Sequence, residues 1–355
     1  MPSSAALRTV LTLGLGAVAA AACEWARVPL PWMIGPLVAT AAFGMAGVPV
    51  AASATLRNLG QAVIGAALGL YFTPQVLALV AANALAIGAG IVWAVALGLA
   101  FSAFLARSNR GLAGLDRVTA FFAGAIGGAS EMAMLAERHG ARVDLVAAAH
   151  SMRLLLVVLI VPFAFQWSGL QGLDPSLPGP QEVDARGLAA LAALVGAGVG
   201  ALVLLRLPNP WLLGPLAVAF ALTVGGVELS AVPKVLSNAA QLVIGVALGT
   251  RFTPAFWHTA PRWLATVAAG TVAMIAASAA FAWALAWASG LHPATLMLGT
   301  SPGGIAEMCI TAKVLQLGVP VVTAFHVTRL AAVLLLAEPL ARRFGRTQVA
   351  SRGAG

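Results

Sequence analysis

The chain has 355 residues, of which 61% are apolar and 9% charged, with a formal net charge of +9. A soluble domain carries roughly 45–50% apolar and about 25% charged residues, so a water-soluble fold of this length is excluded. The positive charge is spread over short loops rather than gathered in an arm. This fits Lys and Arg retained beside a membrane and speaks against nucleic acid as a partner.

The first apolar segment, 8–24, follows Arg8 and ends at Ala-Ala-Ala-Cys23, imitating a secretory signal. An equivalent segment, Leu188–Leu205, stands before a matching motif in the second half, so the first is read as a retained membrane helix. Further segments follow at 31–48, 56–72, 76–106, 118–136 and 143–165. Most have the length of about 20 apolar residues that a helix needs to cross a bilayer, and none alternates polar with apolar as a barrel strand would. The second, third and fifth are irregular. Pro29, Pro31 and Pro36 flank or enter the second, Gly65 and Gly69 soften the third, and Gly124, Gly127 and Gly128 break the fifth.

Almost the whole order then recurs. PWMIGP at Pro31–Pro36 returns as PWLLGP at Pro210–Pro215. RNLGQAVIGAALGLYFTP, ending at Pro74, returns as SNAAQLVIGVALGTRFTP, ending at Pro254. The expected organisation is a first membrane repeat over 7–165, a polar Pro-rich linker over 166–186, a second repeat over 187–341 and a basic cytoplasmic tail over 342–355. The fold class is all-α: a polytopic membrane protein of two repeats with about 10–12 transmembrane segments, some broken or re-entrant. Six crossings per half would make the halves parallel, with cytoplasmic termini. Arg107, Arg110 and Arg117 lie one loop later than Arg251 and Arg262 in the other half, which is the swap that inverted halves would produce.

The polar residues that recur are few. Gly127, Gly128 and Glu131 match Gly303, Gly304 and Glu307, and His150 and Arg153 match His326 and Arg329. Each glutamate follows a Gly-Gly pair where a fresh helix starts, so it can couple a proton or a cation, or serve as an N-terminal helix charge. Each arginine shares a helix face with its histidine. It can clamp an anionic group or close an internal ion pair with the glutamate. The histidines can shuttle protons or be satisfied structural groups. Asn58, Gln61, Asn238 and Gln241 can bind substrate or join helices. Trp32 and Trp211, next to prolines at segment edges, read as interfacial anchors. Cys23 and Cys309 read as small buried hydrophobes. No metal-ligand spacing, nucleotide loop or nucleophile elbow is present, so neither a metal nor another cofactor is expected, and the chain is not read as an enzyme.

Together, the doubled PW-x-x-GP, N-x-x-Q-x-VIG-x-AL-G-x-x-FTP, GG-x-x-EM and H-x-x-R motifs resemble the AbrB-duplication family of bacterial inner-membrane proteins. Members are labelled membrane AbrB-family regulators or ammonia monooxygenases, and the likeness implies a transporter-type fold with inverted repeats and crossed broken helices near Gly127–Glu131 and Gly303–Glu307. Five scattered histidines do not supply the metal cluster that a monooxygenase needs. The expected function is a secondary active transporter of a small anionic or amino-acid-like solute coupled to protons or sodium, set in the inner membrane in contact with lipid, and a homodimer by likeness. A membrane-bound regulator acting indirectly on gene expression is the alternative.

Overall fold

The computed structural model describes residues 2–112, 115–170, 172, 182–259 and 261–352, with backbone alone at 2–4, 257–259 and 344–352. The linker residues Asp174, Pro175, Pro178 and Pro180 lie outside the described residues, as do the side chains of Arg346 and Arg352. Among the described residues there are sixteen helices and no strand, and the helices pair one to one between the repeats. The first repeat gives α1 (Pro2–Trp25), α2 (Pro31–Met45), α3 (Ala54–Gly69), α4 (Pro74–Ala82), α5 (Ala84–Ser108), α6 (Arg117–Gly124), α7 (Ala129–Arg138) and α8 (Val143–Ser168). The second gives α9 (Ala185–Leu204), α10 (Pro210–Val224), α11 (Lys234–Gly249), α12 (Pro254–Thr259), α13 (Pro261–Ser289), α14 (Pro293–Thr300), α15 (Ile305–Leu315) and α16 (Val319–Arg352).

Six helices, α1, α5, α8, α9, α13 and α16, are long and apolar enough to cross a bilayer, three from each repeat. The chain is a multi-pass membrane protein. The irregular segments fall short of a span. Helices α2, α10 and α11 have 15, 15 and 16 residues, about 22–24 Å of rise against a hydrocarbon core of about 30 Å. Helix α3 turns by 86° into α4, and the apolar run at 76–106 is divided at Asn83 between α4 and α5. Helix α8 continues through Ser168, and Asp184 starts α9 by accepting a hydrogen bond from the Gly187 amide at 2.5 Å. Helix α16 runs as far as Arg352.

The chain forms two compact units, and neither is a repeat. The first unit is Met1–Ala82, Pro162–Phe256 and Cys309–Val321; the second is Asn83–Val161, Trp257–Met308 and Val322–Gly355. Each draws on both repeats.

In the first unit the repeats exchange partners: α3 packs on α10, and α11 on α2. Glycine makes this possible. A Cβ on Gly245 would stand 2.5 Å from the Met33 carbonyl oxygen, and one on Gly69 2.5 Å from that of Leu216. The rings of Pro36 and Pro215 lie against Gly245 and Gly65 in the same way. These glycines therefore serve close helix packing rather than softening α3 and α11. In the PW-x-x-GP motif, Gly35 meets the backbone of α1 at Ala19, and Gly214 that of α9 at Gly198.

Both copies of that motif begin at an uncommon turn. Arg27 and Leu30 have φ of 55° and 48°, and Arg206 and Asn209 have 53° and 49°. Leu30 is fully buried there, held in a left-handed conformation that costs a branched side chain about 1–2 kcal/mol.

The second unit is built on α5 against α13, with α6 and α14 packed alongside. Trp93 stacks on Phe281 with ring centroids 4.4 Å apart, and the Trp263 indole donates to the Leu145 carbonyl at 3.2 Å.

Two sequence expectations change in detail. Trp32 is half-buried and its indole N–H is enclosed without a hydrogen bond, unlike an interfacial anchor. The wide-open tryptophans are Trp25, Trp167, Trp283 and Trp287, at or near the C-terminal ends of α1, α8 and α13. Cys309 is buried, whereas Cys23 is only half-buried on α1.

Candidate functional site

The doubled polar residues gather in the second unit. Helix α6 stops at Gly124 and α7 starts at Ala129; α14 stops at Thr300 and α15 starts at Ile305. A helix that stops inside a membrane protein leaves its last carbonyls without partners, and a buried orphan carbonyl is costly. The histidine–arginine pairs meet this need. His150 Nε2 lies 2.9 Å from the Phe122 carbonyl oxygen, and Arg153 donates to the Ala125 carbonyl at 3.1 Å. In the second copy His326 Nε2 lies 2.9 Å from the Leu298 oxygen. Arg329 donates to Ser301 at 2.6 Å and to Gly303 at 2.7 Å. The guanidinium also complements the negative end of each helix dipole.

The tautomer follows from the partners. A carbonyl only accepts and a guanidinium only donates, so each ring carries its proton on Nε2 and accepts at Nδ1. The arginine nitrogen reaches Nδ1 at 2.9 Å in both copies. Both histidines therefore act as neutral braces with both ring nitrogens engaged. The arginines bind main-chain carbonyls, an arrangement that the sequence did not announce.

The GG-x-x-EM motif has a spatial explanation. Gly128 is the residue before α7, in an ordinary extended conformation, so no unusual φ demands glycine. A side chain there would strike the Glu131 carboxylate, which folds back over the Gly128 Cα; Gly304 stands in the same relation to Glu307. Glu131 is the third residue of its helix and takes the place of the acid in a capping box. The preceding glycine makes room for the methionine: a Cβ on Gly303 would lie 2.7 Å from Met308 Cγ, and one on Gly127 3.2 Å from Met132 Cγ. Both methionines are fully buried.

The two copies meet. A Cβ on Gly303 would also lie 3.0 Å from Val157, and one on Gly304 3.4 Å from Leu154, so α8 of the first repeat borders the break of the second. Arg153 and Arg329 stand within electrostatic reach of each other. The centre thus holds two guanidiniums, two carboxylates and two helix N-termini in mostly apolar surroundings.

The copies are not equivalent. Glu307 is buried and Glu131 half-buried. The second break has hydroxyls: Ser301 Oγ donates to Leu298 at 2.9 Å, and Ser278 Oγ approaches the Thr300 carbonyl at 3.3 Å. The first break, Ala125-Ile126-Gly127-Gly128, has no hydroxyl of its own. Glu131 makes no ion pair or side-chain hydrogen bond to the described residues.

The four amides lie elsewhere. Asn58 and Gln61 are on α3, and Asn238 and Gln241 on α11, all in the first unit, where those two helices pack together. Asn58 accepts from the Arg57 guanidinium at 3.0 Å. Among the described residues no three His, Cys, Asp or Glu side chains converge as a metal site would require. Sequence reasoning missed Ser278, Thr300 and Ser301. The signal at the break was the pair Thr300-Ser301, which stands where the first repeat has Gly124-Ala125.

A family model described as "Transition state regulatory protein AbrB" matches residues 32–345. The "Uncharacterized protein YhjN" of Bacillus subtilis (strain 168) is 27% identical over 339 residues, spanning 89% of this chain and 87% of the relative. The "Putative regulator AbrB" of Escherichia coli (strain K12) is 25% identical over 326 residues, spanning 89% of this chain and 90% of the relative.

Proposed function

The chain belongs to the AbrB family, and on that premise we propose that it is a secondary active transporter of a small anionic or amino-acid-like solute, coupled to protons or sodium and set in the inner membrane. The observation that carries the proposal is the pair of broken helices whose fresh N-termini each hold a carboxylate over a glycine, gathered in one compact unit. Broken helices in matching places of two repeats are where transporters expose backbone dipoles to solute and ion. A carboxylate held in apolar surroundings is costly unless it takes a proton, a cation or a partner.

The roles divide by burial. Glu131, half-buried and without an ion pair among the described residues, is the coupling group. Glu307, buried beside the second break, keeps α15 in place. The N-termini of α7 and α15 and the positive charge of Arg153 and Arg329 favour an anionic solute at the centre. His150 and His326 aim the guanidiniums by accepting from them at Nδ1. No catalytic step is assigned, and a homodimer with a cytoplasmic C-terminus completes the proposal.

A regulator reading rests on the printed descriptions of the family model and of the Escherichia coli relative. A transporter that alters the level of a signalling solute would earn the same label without touching DNA.

The test is solute uptake into proteoliposomes across a panel of small carboxylates and amino acids, driven in turn by a pH gradient and a sodium gradient. Uptake that follows one gradient supports the reading. Folded protein that moves nothing under either gradient contradicts it.

A further inference from the structure

A second polar feature stands outside the doubled centre. A cavity of about 680 Å³ opens where α5 ends and α6 begins. Arg107, Arg110 and Arg117 line it together with Asn109 and Asp116, and Leu99 and Leu115 contribute apolar wall. Three guanidiniums and one carboxylate leave an excess of two positive charges. That carboxylate already caps α6, accepting from the Thr119 amide at 2.6 Å. Among the described residues, no ion pair neutralises any of the three arginines.

The wall behind them is fixed. Asn109 is 2% exposed and its amide donates to the Leu105 carbonyl at 3.0 Å, while Arg262 caps the end of α5 by donating to the Ser108 carbonyl at 2.9 Å. The equivalent loop of the second repeat, Gly290-Leu291-His292, has no arginine. The cluster is therefore not a by-product of the duplication.

We propose that this cavity is a binding site for the phosphate of an anionic phospholipid headgroup, with Arg107, Arg110 and Arg117 as its ligands. Guanidinium groups match phosphate oxygens in fork geometry, and basic pockets at the ends of membrane helices suit such headgroups. The apolar wall suits the start of an acyl chain. A free phosphate ester would use the same arginines, and the experiment separates the two sources.

Native mass spectrometry of the full chain in detergent, titrated with phosphatidylglycerol, cardiolipin or phosphatidylcholine, is the test. The expected result is one anionic lipid retained at least tenfold more tightly than phosphatidylcholine. The triple variant Arg107→Gln, Arg110→Gln, Arg117→Gln should lose at least tenfold in that affinity. The control Arg8→Gln, Arg138→Gln, Arg186→Gln removes the same charge elsewhere and should keep it. If the cavity triple fails to fold, Arg110→Gln alone should still weaken retention severalfold. Competition by glycerol phosphate as strong as by lipid would support the phosphate site and assign it to a soluble ester. Equal loss in both triples, or no preference over phosphatidylcholine together with no competition by glycerol phosphate, would overturn the proposal.

Discussion

Replacing Arg329 with methionine should damage the second helix break more than replacing Arg153 damages the first. Arg329→Met leaves the Ser301 and Gly303 carbonyls and the His326 Nδ1 without their donor; Arg153→Met strips the Ala125 carbonyl and the His150 Nδ1. A buried acceptor left unpaired costs about 1–3 kcal/mol, so the expected losses are about 3–9 kcal/mol for the three acceptors of Arg329→Met and about 2–6 kcal/mol for the two of Arg153→Met. Both substitutions also remove a buried charge and the repulsion between the two guanidiniums, gains that largely cancel when the variants are compared. Equilibrium unfolding in mixed micelles would give the global difference. Hydrogen exchange at 299–305 and at 123–129 would show whether the damage is local. Equal destabilisation, or unchanged protection at 299–305 in Arg329→Met, would refute the bracing role.

Gly245→Ala should destabilise the first unit by about 1–3 kcal/mol through the contact with the Met33 carbonyl, read as a lower unfolding temperature. Gly14→Ala, on α1 with nothing within 4 Å of the new methyl, should be neutral or up to about 1 kcal/mol stabilising by the same assay. Asp144→Asn breaks the exposed pair with Arg142 and should change stability by less than about 1 kcal/mol, a value that salt would further reduce. Gly128→Ala should displace the Glu131 carboxylate and reduce transport while leaving the unfolding temperature within a few degrees of wild type.

Much of the fold was legible because the duplication marks its own elements. Each irregular segment named from Pro and Gly corresponds to a helix too short to span, to the bent pair or to a break. What the repeat could not reveal is the exchange of partners: Gly245 lies on the backbone at Met33 rather than beside its own repeat's Leu212, a long-range contact with no local signature. The site was legible in its members and not in their bonding. Spacing placed His326 and Arg329 on one face, but the carbonyls they hold belong to a helix end 28 residues away for Leu298 and Ser301. The difference in burial between Glu131 and Glu307 was hidden as well, because the GG-x-x-E motif that carries them reads the same in both copies.

The central claim is that Glu131 couples an ion gradient to solute movement. The most direct test is gradient-driven solute flux in proteoliposomes containing wild type, Glu131→Gln or Glu307→Gln, each shown to be folded at the same density. Coupled flux in wild type, abolished in Glu131→Gln and retained in part in folded Glu307→Gln, is the result this account predicts. Full coupled flux in Glu131→Gln would contradict it.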